Sequence, residues 1–352
     1  MINVISKDEL TGRQMSVNAL HANDNKFSPG IMRPWLDKNG ETYIAVHDAK
    51  TGKMKSMQAN TTGTLRKDQW KQLDEAIVMA GRERFVGVQS LESRGLVKNL
   101  ANAMGTTVLE WDEMKDYMSA EVSMDALTRG QNDRPQFERK AIPIPIIHAD
   151  FQINARALAT ENMLDTWGAE QAARKVAQMQ EDMLFTDWTY GYGGGKIHSY
   201  LNHPGVNNQT LTKNWDDATK TGKNILDDVI ACKQKMIEDK AFGPYELYIP
   251  TAYETKLDLD FSDNKGTNTI RQRILQIDGI DSIKVVDRLP ENTVLMVNMQ
   301  QSTIRLIKGL GLTNVQWPSE GGWVQNYKVV SIVLPQIRTD ADGNCGIVKL
   351  AS

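Results

Sequence analysis

The sequence predicts an α+β fold with extended elements that reach beyond its own body. Three observations point there. Residues 141–154 read Ala-Ile-Pro-Ile-Pro-Ile-Ile-His-Ala-Asp-Phe-Gln-Ile-Asn, with two prolines at alternate positions. Each proline fixes its own φ and drives the preceding residue out of the α region, and neither can donate a ladder hydrogen bond. The segment is therefore extended, and it suits an edge strand or an arm on a neighbour rather than a central strand. A long helical period follows it directly, running to Leu184. Beyond residue 223, short apolar runs alternate with helical patterns.

The chain has 352 residues, enough for two or three compact units with a sizeable core. It carries 41 basic and 44 acidic side chains, a net charge of −3. That balance argues against a nucleic-acid coat with a basic tail. The two cysteines, Cys232 and Cys345, lie far apart and read as reduced thiols of a cytosolic protein. The N-terminus lacks a basic-then-apolar signal pattern, and no apolar run approaches the roughly 20 residues that span a bilayer. The expectation is a soluble protein made in the cytoplasm.

Residues 1–66 read as an N-terminal arm, polar and mildly rich in basic side chains that ordinary solvation explains. Glu41-Thr-Tyr-Ile-Ala-Val-His47 and Lys53-Met-Lys-Ser-Met-Gln58 alternate around the turn Asp48-Ala-Lys-Thr-Gly52, which predicts a hairpin. Residues 67–114 are helical in character. Trp70, Leu73 and Ile77 share one face of a helix over 68–79, Gly81 offers a stop, and Leu91, Leu96 and Leu100 suggest a second short helix.

Residues 115–148 run out and back through the polar tip Arg129-Gly-Gln-Asn-Asp-Arg-Pro135. This reads as a long two-stranded loop. Such a ribbon is marginal alone in water, so it needs a surface to lie on, and a neighbouring subunit would serve. Residues 149–222 hold the clearest helix. Asn162 is the expected N-cap, with Asp165 near the start. Leu164, Gly168, Ala172, Val176, Met179 and Met183 recur at spacings of three and four, and Ala169, Ala173 and Ala177 permit close approach. Such a helix is on the order of 30 Å long. Residues 186–222 read as a loop region.

Residues 223–318 read as an α/β section. A helix over 225–238 sets Ile225, Val229, Cys232 and Met236 on one face. Strand 245–250, a brief helix 252–257, a polar loop 258–268 and a helix 269–276 follow, then strands 283–286, 293–297, 304–307 and 315–317. Residues 319–352 contribute a strand over 327–334.

No arrangement suited to catalysis emerges. The run Gly191 to Gly195 ends in Lys196, but Ile197 follows where a phosphate loop needs Ser or Thr, and residues 185–190 read as a helix tail rather than a buried strand. A flexible turn is the better reading. Of His21, His47, His148, His198 and His203, only the last two are close in sequence, and no ligand set for zinc accompanies them. Glu181 and Asp182 are adjacent, do not share a helical face, and read as part of a solvated or intersubunit face. Trp167, Trp188, Trp215, Trp317 and Trp323 lack basic interleaving and suit core or interface packing better than stacking on bases. The chain is expected not to be an enzyme and to need no cofactor or metal.

The order of elements resembles the major capsid proteins of tailed phages, the HK97-like fold shared with encapsulin shells. The resemblance covers roughly residues 65–352. It rests on Ile142-Pro-Ile-Pro-Ile-Ile-His-Ala-Asp-Phe151 with Arg156, Glu181-Asp-Met-Leu-Phe185, Leu201-Asn-His-Pro-Gly-Val206, Leu334-Pro-Gln-Ile-Arg338 and Cys345-Gly-Ile-Val348. It implies an N-terminal arm (1–66), a helical part of a peripheral domain (67–114), an extended β-hairpin loop (115–148), the spine helix and following loop of the peripheral domain (149–222), an axial domain (223–318) and a C-terminal return strand (319–352). It implies self-assembly as pentamers and hexamers into an icosahedral head around double-stranded DNA, held by weak non-specific contact. Scaffolding, portal and decoration proteins are the implied partners, with no membrane. The implied location is the virion, assembled in the host cytoplasm. Expected intersubunit contacts are Arg129, Arg134, Phe137, Arg139, Lys140, Pro143 and Pro145 on the loop, with Trp35 and Tyr43 in the arm. Some relatives crosslink a Lys to an Asn with the help of a Glu. Lys140 has no matched Asn and Glu here, so no crosslink is expected. An encapsulin-like cargo compartment is the alternative reading, and a cytosolic α/β enzyme using the Gly191 to Gly195 loop is a third.

Overall fold

The structure, a computed structural model, describes residues 5–7, 14–16, 33–47, 54–58, 66–80, 85–114, 122, 124, 137–154, 156, 166–261, 268–340 and 342–351. Strands β1 (Ile5–Lys7) and β2 (Gln14–Ser16) pair with each other. β3 (Trp35–Leu36), β4 (Thr42–His47) and β5 (Met54–Gln58) form an antiparallel sheet, so the expected hairpin is present. This sheet is anchored to helix α1 (Lys67–Ala80). Arg33 pairs with Asp74 and lies 4.2 Å from the centre of the Trp70 ring, while Trp70 Nε1 donates to the Pro34 carbonyl at 3.1 Å. Trp70, Leu73 and Ile77 are buried, as their spacing predicts. Helix α2 (Val86–Ser93) and strand β6 (Val97–Asn99) follow. The expected helix through Leu91, Leu96 and Leu100 is thus shorter. Gly95, at φ +70°, turns the chain into β6.

β7 (Val108–Met114) pairs antiparallel with β8 (Phe137–Pro143) as a two-stranded ribbon, and of the loop expected over 115–148 the out-and-back part up to residue 136 lies, but for residues 122 and 124, outside the described residues. β9 (Ile147–Asn154) is an edge strand of the four-stranded sheet β6–β16–β17–β9, formed with β16 (Ile304–Ser319) and β17 (Val324–Ile337). That is the position the proline pair predicts for the chain beside it. Helix α3 (Thr166–Phe185) crosses this sheet and buries Ala169, Ala172, Ala173, Val176, Ala177 and Met183. Fully burying one Val-sized side chain contributes about 1.5–3 kcal/mol. Tyr327 stacks on Phe151 with ring centres 4.9 Å apart and meets Trp70 edge-on in the same core. The expected N-cap Asn162 and residues Leu164 and Asp165 lie outside the described residues, as does Gly81.

Residues 186–222 are not only loop. β10 (Thr189–Tyr192) and β11 (Gly195–His198) form a hairpin whose turn is Gly193 at φ +59° and Gly194 at φ +81°. Two positive φ angles in a two-residue turn match strand twist and suit glycine, so the glycine run is a tight turn rather than a flexible one. Residues 189–190 are strand, which corrects their reading as a helix tail.

β12 (Asn207–Thr210) joins a second, five-stranded sheet of order β12–β18–β15–β13–β14, with β13 (Tyr245–Pro250), β14 (Ile280–Val286), β15 (Thr293–Asn298) and β18 (Ile347–Ala351). Helix α4 (Gly222–Glu238), capped by Thr221, packs Ile225, Val229, Cys232 and Met236 into its core. Short helices α5 (Glu254–Leu257) and α6 (Ile270–Leu275) close that core, α6 behind a capping box of Thr269 and Gln272. The sheets cut across two expected divisions. Residues 304–319 belong to the four-stranded sheet, and 347–351 return to the five-stranded one. The two short strands read at 304–307 and 315–317 are one strand with register shifts near Leu310. A Cβ on Gly309 would lie 2.0 Å from the Ala103 Cβ, so glycine there permits the approach that bends the strand. Among the described residues no helix is long and apolar enough to cross a membrane.

Candidate intersubunit surface

The ribbon's two faces follow from its register. Directly paired residues of an antiparallel ladder project to the same side. Trp111 pairs with Lys140 and Glu113 with Glu138, and these face the body. Glu113 accepts from Trp111 Nε1 at 2.8 Å and from the Thr339 hydroxyl at 2.7 Å, so one carboxylate ties the ribbon to the chain beyond β17. Lys140 Nζ donates to Glu138 at 2.5 Å. The opposite face carries Phe137, Arg139 and their partners. Arg139 lies 3.2 Å from Asp112 and 3.6 Å from Glu110, with 69% of its side chain exposed. Phe137 is 63% exposed. A large apolar ring beside a satisfied ion cluster, open to water, suits a contact with another molecule.

The base of the ribbon rests on the β10–β11 hairpin. A Cβ on Gly195 would lie 2.5 Å from the Ala141 carbonyl oxygen, so only glycine allows this approach. Between ribbon, hairpin and the 201–206 loop lies a cleft of about 530 Å³ lined by Trp111, Lys140, Lys196, His198 and His203. His198 and His203 meet edge-on with ring centres 5.5 Å apart. His203 Nδ1 accepts from the Gly205 N–H at 3.1 Å, and burial, then the charge of His198, pushes its pKa down to about 4. Both histidines are half-buried, His198 at the end of β11 and His203 in the loop that follows. Of the cleft's lysines, Lys140 is paired with Glu138, and Glu113 adds a carboxylate to the lining.

The other expected contacts divide. Pro143 is buried at the ribbon's base, opposite Val108. It is part of the chain's own packing, because that end of β8 lies against the body. Pro145 is half-buried. Trp35 and Tyr43 stack on each other at 6.3 Å, and Trp35 packs against the chain's own core, so its indole is engaged within one subunit. Arg129 and Arg134 lie outside the described residues. Exposed apolar groups that the sequence reading did not single out are Phe242, Leu259 and Leu275 around the five-stranded sheet, and Ile146 beside the prolines. Periodicity cannot find them, since they sit in turns or at helix ends. Trp215 is buried, whereas Trp167 and Trp323 are 68% and 72% exposed.

Glu181 is a correction. It is 1% exposed and accepts the backbone N–H groups of Gly87 at 3.2 Å and Val88 at 3.0 Å, at the start of α2. Burial raises its pKa to about 7 against the lowering effect of those two bonds, and Asp182 adds to the rise. Asp182 itself takes Arg288 through both carboxylate oxygens. The pair therefore joins α3 to the rest of the chain rather than facing solvent. Glu246, fully buried in β13, plays the matching part on the other side of α2. It accepts from Ser90 and, at 2.8 Å, from Ser282, and lies 3.5 Å from Arg94 Nε. α2 is thus clasped between two buried carboxylates, one from each half. Cys232 and Cys345 are free and buried, their thiol pKa values pushed up to about 12, chiefly by burial. Among the described residues no group of three His, Cys, Asp or Glu side chains is placed to hold a metal ion.

Comparison with known proteins gives this architecture a context. The profile of DUF6260, a family of unknown function, matches residues 58–349. The type 1 encapsulin shell protein EncA of Myxococcus xanthus is 24% identical over 259 residues, which is 71% of this chain and 79% of that protein. The virus-like particle protein of Pyrococcus furiosus superposes with a TM-score of 0.58 at 17% identity, covering 80% of this chain and 98% of the other. The capsid protein of Myoviridae phage XM1 gives 0.59 at 10% identity, covering 76% and 92%. The fold is the HK97-like fold that the order of elements implies.

Proposed function

The chain belongs to the DUF6260 family and carries the HK97-like fold, and from that premise we propose that it is a self-assembling shell subunit, the major capsid protein of a tailed phage. The observation that carries this reading is the ribbon β7–β8. It is a two-stranded element with an outward face of Phe137 and Arg139 left open by its own chain. A ribbon of this kind gains stability when a neighbour covers it. The arm, the ribbon and the exposed rim of the five-stranded sheet give one subunit several separate contact regions. Weak contacts repeated by closed symmetry then add up to a stable shell.

In this reading the four-stranded sheet with α3 forms the peripheral domain and the five-stranded sheet the axial domain, which meets its copies in pentamers and hexamers. The subunit's partners are its own copies, with portal, scaffolding and decoration proteins, and the packaged double-stranded DNA is confined rather than gripped. The shell forms in the host cytoplasm and ends in the virion. Its role is structural, without catalysis.

A second reading has a specific observation behind it. The likeness to EncA runs over 79% of that encapsulin shell protein, which favours a compartment that holds cargo protein. Electron microscopy of the chain expressed alone tests the shared premise. Closed polyhedral particles or tubes are expected. Small uniform particles that stay small after the neighbouring phage proteins are added would overturn it. Nuclease-resistant DNA in particles from the natural source marks the phage reading, and co-purifying protein marks the compartment.

A further inference from the structure

One end of the four-stranded sheet carries three cations that, among the described residues, have no carboxylate within ion-pair distance. Lys98 lies in β6, Arg305 in β16, and Arg338 one residue beyond β17. Arg305 pairs in register with Gln336, so the two project from one face. Arg338 is two residues past Gln336 and returns to that face by the period of a strand. Lys98 is in register with Ile307, two residues on from Arg305, and falls on the same side. Among the described residues, no carboxylate lies within ion-pair distance of any of the three.

The groups weigh on one another. Burial, then the charges of Arg305 and Arg338, holds the Lys98 pKa below its ordinary value, and burial with Arg338 does the same to Arg305. The hydrogen bonding is one-sided as well. Arg305 Nε donates to Gln336 Oε1 at 2.6 Å, and a guanidinium can only donate, so the other end of that amide is the NH₂ group. Gln336 is completely buried, and its Nε2 has no partner among the described residues. Arg338 Nε is likewise buried without one. Every unsatisfied atom of the group is a donor.

We propose that Lys98, Arg305, Gln336 and Arg338 form a binding site for a small oxyanion, phosphate or carboxylate. Such a group accepts several hydrogen bonds at once and cancels the repulsion between the cations, and the guanidinium fork fits either chemistry. The site lies on strands from three parts of the chain, so an occupant would tie β6 and the end of β17 to β16. The two sources are free phosphate and a carboxylate side chain from a second copy.

Thermal unfolding of the full chain in inorganic phosphate, against sodium chloride at matched ionic strength, tests the site. The midpoint is expected to rise saturably with phosphate and not with chloride. Arg338→Gln is expected to raise the midpoint in phosphate-free buffer, because repulsion is relieved, and to weaken phosphate binding by roughly tenfold or more. Lys235→Gln, an exposed cation already paired with Glu238, is expected to keep the full response. If Arg338→Gln does not fold, Arg305→Gln must show the same loss of response. A midpoint that follows ionic strength alone, or a folded variant that keeps the wild-type phosphate response, overturns the proposal. Calorimetric titration with phosphate and acetate before and after assembly separates the sources. A site closed by assembly holds a neighbour's carboxylate, and one that stays open holds free phosphate.

Discussion

The ribbon β7–β8 and the ribbon β16–β17 use the same antiparallel ladder and meet different surroundings. β16–β17 is flanked by β6 and β9, and its alternate residues enter two cores, Ile307, Tyr327 and Val329 on one side and Ile304, Leu306 and Val333 on the other. β7–β8 rests on the β10–β11 hairpin, Thr339 and, through Ile142, Leu109 and Trp111, one edge of a core, while Phe137 and Arg139 on its other face are exposed. Pairing alone does not make a strand permanent. Coverage of both faces does, and one of the two ribbons lacks it within a single subunit.

The largest expected effect sits in the covered ribbon. Tyr327→Ala removes a ring packed between Phe151 and Trp70 and should cost about 3–5 kcal/mol in urea unfolding of the subunit. Phe137→Ala should leave that stability within about 0.5 kcal/mol and show its cost only in shell yield. Equal losses for the two would erase the distinction.

Next comes Glu181, which ties α3 to α2. Its folded pKa of about 7 lies above the ordinary carboxylate value of 4.5. Its contribution is therefore fully present below pH 4.5 and is lost as the pH rises through 7. The shift corresponds to about 3 kcal/mol across that window. Glu181→Gln cannot titrate and should flatten this part of the curve of unfolding free energy against pH. A variant whose stability falls between pH 5 and 8 as steeply as the wild type would remove Glu181 as the cause.

A smaller effect, about 1–3 kcal/mol, is expected from Gly195→Ala, whose new methyl meets the Ala141 carbonyl. It should lift the ribbon's base, read as faster amide exchange over residues 137–143 with no change in 324–337. The smallest belongs to Arg139→Ala. Its ion pairs are exposed, so subunit stability should move by less than about 1 kcal/mol.

The same contrast explains what the sequence made legible. Helices with one buried stripe were readable from spacing alone, as Ile225, Val229, Cys232 and Met236 show. The prolines at 143 and 145 announced an edge because their lost donors are a local property. β16 looked like two strands because Gly309 and Gly311 interrupt its apolar run, and only the approach of Ala103 explains the first of them. Glu181 read as part of a solvated or intersubunit face because its partner, the start of α2, is remote in sequence, and the partners of Glu246, Ser90 and Ser282, are remote as well. The cation cluster was hidden for the same reason, its members lying in three distant segments. Of the expected contact residues, Phe137 and Arg139 sit on an open face, whereas Pro143 and Trp35 were drawn inward by packing that alternation does not record.

Hydrogen–deuterium exchange on isolated subunits and on assembled particles tests the central claim most directly. Amides at the outer end of the ribbon, 112–114 and 137–139, should exchange quickly in the free subunit and become protected on assembly. Those of 304–319 and 324–337 should be protected in both. A ribbon equally protected before and after assembly would contradict the account, because its stability would then come from its own chain.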